Sequence, residues 1–212
     1  AADQPLDQPS TMGDDPPRCG DLLKIRTNRF GGSGPRWQSL CMVTELSEVT
    51  IRPAAPADAS AIAAVHIASW RGAYAGIVPD EYLASLDHDQ REQHWVQSLA
   101  TPGARTWLAD ADGRTIGFAT LGPSRDEDAE PGDLEIFAIY LDPESWGRGV
   151  ARDLMRTMLG EVRPGTTVTL WVLEDAERAR RFYRRHGFVP DGVERRDDIG
   201  GKDLTAVRYR RG

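Results

Sequence analysis

The stretch LDPESWGRGVARDLM, residues 141–155, carries Gly147 and Gly149 directly ahead of a helical pattern. The first N–H groups of a helix have no partner inside it, and the helix dipole favours negative charge there. Glycines at such a place let the backbone approach a ligand with no side chain in the way. The chemistry on offer is the binding of a phosphate-type anion by the backbone N–H groups of Arg148, Gly149, Val150, Ala151 and Arg152. The arginine side chains would add charge if they turn inward. A plain turn is the alternative.

Two phosphate-binding patterns compete for this loop. A phosphate-loop nucleotide site is excluded, because no Gly-Lys-Ser/Thr follows the glycines. A dinucleotide site has more in its favour: strand, glycines, helix, strand, and Glu174 at the end of the next strand. Against it, Arg152 stands where the third glycine belongs, and five residues separate the strand from Gly147.

Other side chains invite a chemical reading. Glu135 sits in the otherwise apolar strand pattern LEIFAIYLD. Burial there would raise its pKa and suit it to accept a proton, directly or through water. The bland alternative is a carboxylate at the strand's start, exposed or paired with an arginine. Glu174 is a second acidic candidate. Trp70, Tyr74 and Trp171 read either as core or as the wall of a substrate pocket. His66, His88, His94 and His186 are scattered without metal-ligand spacing, and Cys19 and Cys41 are the only cysteines, so no metal is expected.

The elements that position these groups follow from pattern. VTIRPA reads as a strand, with Pro56 and Asp58 opening a helix through Ala73. VPDEYLASL is a second, shorter helix, and Asp87 with Gln90 forms the signature of a cap for a third. RTWLADADGRTIGFATLG is a hairpin turning at Asp112-Gly113. A polar loop, PSRDEDAEPGD, leads to the apolar strand holding Glu135 and is a candidate lid. Then come the glycine loop, a helix to about Glu161, the strand TTVTLWVLE, a helix closed by Gly187, and a last strand, LTAVRYRR. This order predicts an α/β protein with a mixed sheet of six strands and helices on both faces.

Residues 1–47 are rich in Pro, Asp, Gly and Ser and hold no sustained period. They are expected to form a flexible tail, loosely docked at most through Phe30, Trp37 and Leu40. The folded domain is expected over 48–212. A net charge of −7 argues against nucleic-acid binding by bulk electrostatics. No apolar run approaches the length of a membrane span, and the cysteine usage fits a cytoplasmic home.

Residues 49–210 resemble the GNAT superfamily of acyl-CoA-dependent N-acyltransferases. The family signature, Gln/Arg-x-x-Gly-x-Gly/Ala, aligns with Trp146-Gly147-Arg148-Gly149-Val150-Ala151, the leading Gln/Arg being replaced by Trp146. LWVLEDAERARRFYRRHGF is similar to the family's next strand and helix, with Ala176 where an Asn contacting the cofactor is common. HIASWRGAYAGIVPDEYL resembles the first two helices of a bacterial subgroup of small acetyltransferases. The resemblance implies a mostly antiparallel sheet splayed between its fourth and fifth strands. It implies that acetyl-CoA places its pyrophosphate on Gly147–Arg152 and its pantetheine arm beside the backbone of Ile139, Tyr140 and Leu141. It further implies that Tyr183 protonates the departing thiolate. The acceptor would be a small-molecule or peptide amine, with Trp70, Tyr74, Trp171 and Glu174 lining its pocket, and a homodimer through the final strands is a family-level expectation. A CoA-binding regulatory module without turnover is the competing reading.

Overall fold

An Asp-Gly pair makes a two-residue turn between two strands, and the sheet grows out from it. The computed structural model describes residues 48–212; the expected tail and both cysteines lie outside the described residues. Strand β1 (Thr50–Pro53) leads through a 3-10 turn (Pro56–Asp58) into α1 (Ala59–Ala73), α2 (Asp80–Ser85) and α3 (His88–Ala100). Strands β2 (Arg105–Ala111), β3 (Arg114–Pro123) and β4 (Leu134–Leu141) follow. Then come α4 (Val150–Gly160), β5 (Val168–Leu173), α5 (Glu177–Arg185), β6 (Val189–Ile199) and β7 (Lys202–Arg211).

Local chemistry explains the boundaries. Asp112 and Gly113 hold φ of 52° and 71°, the left-handed pair that a two-residue hairpin needs. The Asp87 carboxylate accepts from the Gln90 N–H at 2.9 Å and starts α3. Gly187, at φ 83°, ends α5, and the Phe188 N–H turns back to the Tyr183 carbonyl at 3.1 Å. Asp58 stands at the head of α1 and clamps the Arg52 guanidinium of β1 at 2.8 and 2.9 Å.

The seven strands run in the order β1-β2-β3-β4-β5-β7-β6, all antiparallel except β4 and β5. β4 is the central strand, as its nearly unbroken apolar run leads one to expect. Helices α1 and α4 both pack against β3 and β4. On the α1 side, buried His66, Trp70, Trp95, Phe118 and Tyr140 form one aromatic block. The Trp95 indole donates to His66 Nδ1 at 3.2 Å, so the His66 proton resides on Nε2.

The β3–β4 ladder carries a bulge. Thr120 faces Ala138 and Leu121 faces Ile136, so Phe137 has no opposite number. The bulge is held by a close fit: a Cβ on Gly122 would sit 2.5 Å from the Phe137 ring.

One element escaped the sequence pattern. A single strand is expected after α5, but two are present. β6, VPDGVERRDDI, is an edge strand exposed along most of its length. With one neighbour and little buried face, it has no alternation to read.

Removing the Asp87 cap tests the reading of α3. Asp87→Ala is expected to lower unfolding stability by about 1 kcal/mol, measured by urea denaturation, with the slope unchanged.

Candidate functional site

The sheet opens where its only parallel pair gives out. β4 and β5 pair at Leu134↔Val168, Glu135↔Thr169 and Ile136↔Leu170, and no further. Phe137–Leu141 of β4 therefore have no β5 partner. The direction of their backbone groups follows from two bonds. The Asp142 N–H donates to the Ile116 carbonyl of the β2–β3 side at 2.9 Å, so alternate residues Tyr140 and Ala138 also turn their groups to β3. Ile139 and Leu141 then turn theirs into the gap. Ahead of the bulge the parity is reversed: the Leu134 N–H reaches the Thr167 carbonyl toward β5, at 2.9 Å. The unpaired residue Phe137 thus switches which groups face the opening. Of the three backbone positions named from sequence, Ile139 and Leu141 present donors there. The Tyr140 backbone serves β3, and its ring stacks on His66 at 4.7 Å.

The gap leads to the start of α4. Gly147 and Gly149 both hold left-handed φ, 76° and 80°, which side chains rarely adopt. The first helical bond joins the Asp153 N–H to the Gly149 carbonyl, leaving the N–H groups of Val150, Ala151 and Arg152 ahead of it. A cleft of about 250 Å³ lies against this turn. Gly147, Gly149, Val150, Ala151 and Arg152 line one wall; Phe182 and Arg185 of α5 and His186 just past its end line the other. Arg148 is exposed and does not line the cleft. Phe182 and His186 were missed in the sequence as cleft residues, and Arg185 was read only as one of five helix arginines of which one or two could meet a CoA phosphate. Their i, i+3, i+4 spacing is the signal that marks one helix face. His186 lies with Nδ1 2.9 Å from the Phe182 carbonyl, which it meets as a donor. Two arginines, a histidine and a helix start make the cleft suited to an anion.

Tyr183 is fully buried on α5, beside Phe182 and Phe188. Glu135 is also buried, at 3% exposure, and its carboxylate is engaged. Arg125 donates to it from Nη2 at 2.7 Å, from Nε at 3.2 Å and from its backbone N–H at 3.1 Å. This is the arginine-paired arrangement foreseen as the bland alternative. The same guanidinium lies 4.0 Å over the Phe137 ring.

Beyond Glu135, the loop of residues 124–133 is fastened across the sheet. Asp126 accepts from the Trp171 indole at 2.9 Å and from the Thr169 hydroxyl at 3.1 Å. Arg208 of β7, itself buried, pairs with Asp126, Asp128 and Asp191. It holds the Asp128 carboxyl well below its ordinary range, at about 2. Arg195 of β6 covers the other side of Trp171 at 4.2 Å and pairs with Asp197 at 3.2 Å.

Asp197 lines a cleft of about 670 Å³ between the α1–α3 helices and the β6–β7 hairpin. Trp70, Tyr82, Asp87 and His94 share that lining. Burial raises the Asp197 carboxyl above its usual range, and Arg195 works against the rise. Trp70 and Trp171 are therefore linked to one region through Arg195 and Asp197. Tyr74 is core: it is fully buried, burial pushes its phenol up, and a bond with Tyr140 opposes that rise. Glu174 is exposed; its backbone bonds to Thr205 and Arg180, and its charge acts on Arg180. Among the described residues, no group of three or more His, Cys, Asp or Glu is placed to hold a metal ion, and no helix is long and apolar enough to cross a membrane.

Comparison with known proteins places this geometry in context. The Acetyltransferase (GNAT) family matches residues 68–188. A probable N-acetyltransferase of Mycobacterium tuberculosis is 32% identical over 168 residues, covering 77% of this chain and 94% of its own. The crystal structure of PaiA N-acetyltransferase from Thermoplasma acidophilum in complex with coenzyme A has a TM-score of 0.57. It is 23% identical and covers 76% of this chain and 98% of its own. An acetyltransferase of Salmonella typhimurium with its cofactor acetyl-CoA has a TM-score of 0.60 at 21% identity, covering 77% of this chain and 93% of its own.

The Arg208 cluster gives an acid-stability signature. Asp128 is depressed in the fold, so its contribution is present above the unfolded carboxylate pKa and is lost as pH falls through about 2. Asp128→Asn is expected to lower the melting temperature at neutral pH. The difference from the parent should shrink between about pH 4 and pH 2, followed by thermal melts across that range.

Proposed function

This chain belongs to the GNAT acetyltransferase family, and from that premise we propose that it moves the acetyl group of acetyl-CoA to a primary amine by direct attack within a ternary complex. One observation carries the reading: both Ile139 backbone groups and the Leu141 N–H open onto a gap, left without β5 partners, that ends at an anion-suited helix start. The diphosphate of the cosubstrate sits on the N–H groups of Val150, Ala151 and Arg152, with Arg185 and His186 across the cleft. The pantetheine arm runs from there along β4 as an added strand, meeting Leu141 first and Ile139 nearer the bulge.

The thioester then lies by Ile139. As the amine nitrogen attacks the carbonyl carbon, negative charge gathers on the oxygen, and the Ile139 N–H is already aimed into the gap to receive it. The C–S bond breaks, and the sulfur takes the Tyr183 hydroxyl proton. The proton released by the amine returns to Tyr183 through water. Glu135 takes, by way of water, the earlier proton that an ammonium acceptor must lose before it attacks, because Arg125 occupies both carboxylate oxygens. Holding the two reactants in one geometry supplies much of the remaining acceleration. No cysteine occurs in 48–212, which fits direct transfer rather than an acyl-enzyme.

The acceptor amine enters from the large cleft between the helices and the β6–β7 hairpin. Asp197 and Asp198 line it, and their charge favours a cationic acceptor. Trp70 and Trp171 border the route.

Free-thiol release from acetyl-CoA against a panel of amines tests the reaction. Turnover on at least one amine is expected; CoA binding without release on any of them would leave only a binding module. Tyr183→Phe is expected to lower kcat by about a hundredfold with acceptor KM nearly unchanged. Gly149→Val, which forces a branched side chain into a left-handed site, is expected to raise KM for acetyl-CoA.

A further inference from the structure

Trp146 stands where the family signature has Gln or Arg, and its surroundings give it a different task. Its indole Nε1 donates to the Leu141 carbonyl at 3.3 Å. That carbonyl is one of the groups turned into the gap. On its other side the indole ring lies beneath Arg178 of α5, whose guanidinium carbon is 4.3 Å from the ring centroid. Helix α1 closes in from a third direction: a Cβ on Gly72 would sit 3.1 Å from Trp146 Cη2 and 2.7 Å from Pro143 Cγ. Only glycine lets α1 approach so near.

These contacts share one location. β4 and β5 last pair at Ile136 and Leu170. Beyond that point the two strands no longer pair with each other, β4 leading into the segment holding Trp146 and β5 into α5. The stack of Arg178 on Trp146 therefore spans the mouth of the gap. Ala176, at the head of α5, is too small to reach across.

We propose that Trp146 is a positioning residue for the acetyl-CoA arm. It fixes the width of the gap at its mouth through Arg178, and fixes the register of the arm by occupying the Leu141 carbonyl. The inference rests on the acetyltransferase reading above. An extended arm laid against a strand edge can slip by one pairing unless some group is withheld. With the Leu141 carbonyl engaged, the arm is left with the Leu141 N–H and both groups of Ile139. That register brings the thioester to Ile139.

The two contacts separate by substitution. Trp146→Phe keeps a ring under Arg178 but removes the N–H. It is expected to lower kcat by about three- to tenfold while CoA affinity stays close to that of the parent. Arg178→Ala removes the stack and is expected to weaken CoA binding by about three- to tenfold in calorimetry. Arg178→Lys, which keeps a cation over the ring, should recover most of that loss. CoA titration should change the parent's tryptophan fluorescence, and most of the change should vanish in Trp146→Phe. If both variants keep the parent's CoA affinity, kcat and fluorescence response and only melt earlier, the indole is mere packing. The proposal then falls while the acetyltransferase reading stands. If the parent itself binds no CoA and releases no thiol, both fall. Should Trp146→Phe not fold, the Arg178 pair decides: no loss in Arg178→Ala, or no recovery in Arg178→Lys, overturns the proposal.

Discussion

A single unpaired residue in β4 governs the site. Phe137 has no counterpart on β3, and its insertion reverses the parity of every backbone group that follows. Without it, Ala138 and Tyr140 would face β5 and Ile139 would be spent on β3. With it, the strand bonds fully to β3 on one side and keeps a bare edge on the other. A bare edge inside a sheet is costly unless something pairs with it. Under the function proposed above, the cosubstrate arm supplies that partner. Gly122 makes the bulge affordable in space, since the Phe137 ring lies where its Cβ would be.

The charges around this gap are sorted by face. On the cleft against α4, positive groups from α4 and α5 accompany free helix amides. On the face over β5 and β7, carboxylates outnumber arginines around Arg208, and each arginine is already held by a carboxylate or a ring. The loop of residues 124–133 is pinned by this network at Glu135, Thr169, Trp171 and Arg208. Three carboxylates share one buried guanidinium, which would be left as an uncompensated charge without them. The loop expected from sequence to act as a lid is thus tied down at several points in this state.

Much of the scaffold was legible because its signals are local. The Asp112-Gly113 turn, the Asp87 cap, the Gly187 stop and the Gly147–Gly149 helix start each rest on a few adjacent residues. Their chemistry is the same in any fold. The long apolar run of β4 gave its central place. What stayed hidden depends on distant partners. Glu135 reads as a potential base until Arg125, ten residues earlier, is seen to grip it. Arg185 reads as one of several solvated helix arginines, and His186 as a scattered histidine, until the cleft beside α4 is in view. The bulge leaves no trace in composition, since an extra apolar residue in an apolar strand alters no pattern. β6 was invisible because an exposed margin places almost no demand on hydrophobicity.

That margin has a consequence of its own. Between Pro190 and Glu194 the β6 ladder is interrupted, and Asp191, Gly192 and Val193 together face Arg208 alone. Pro190 has no N–H to offer a newcomer, and the run Glu194-Arg195-Arg196-Asp197-Asp198 would have to shed its hydration to accept one. An incoming chain seeking to lengthen the sheet meets a kinked, charged and incomplete template there. The outermost strand therefore guards the molecule against stacking into fibrils, while its inward residues Asp191 and Arg195 still serve the interior.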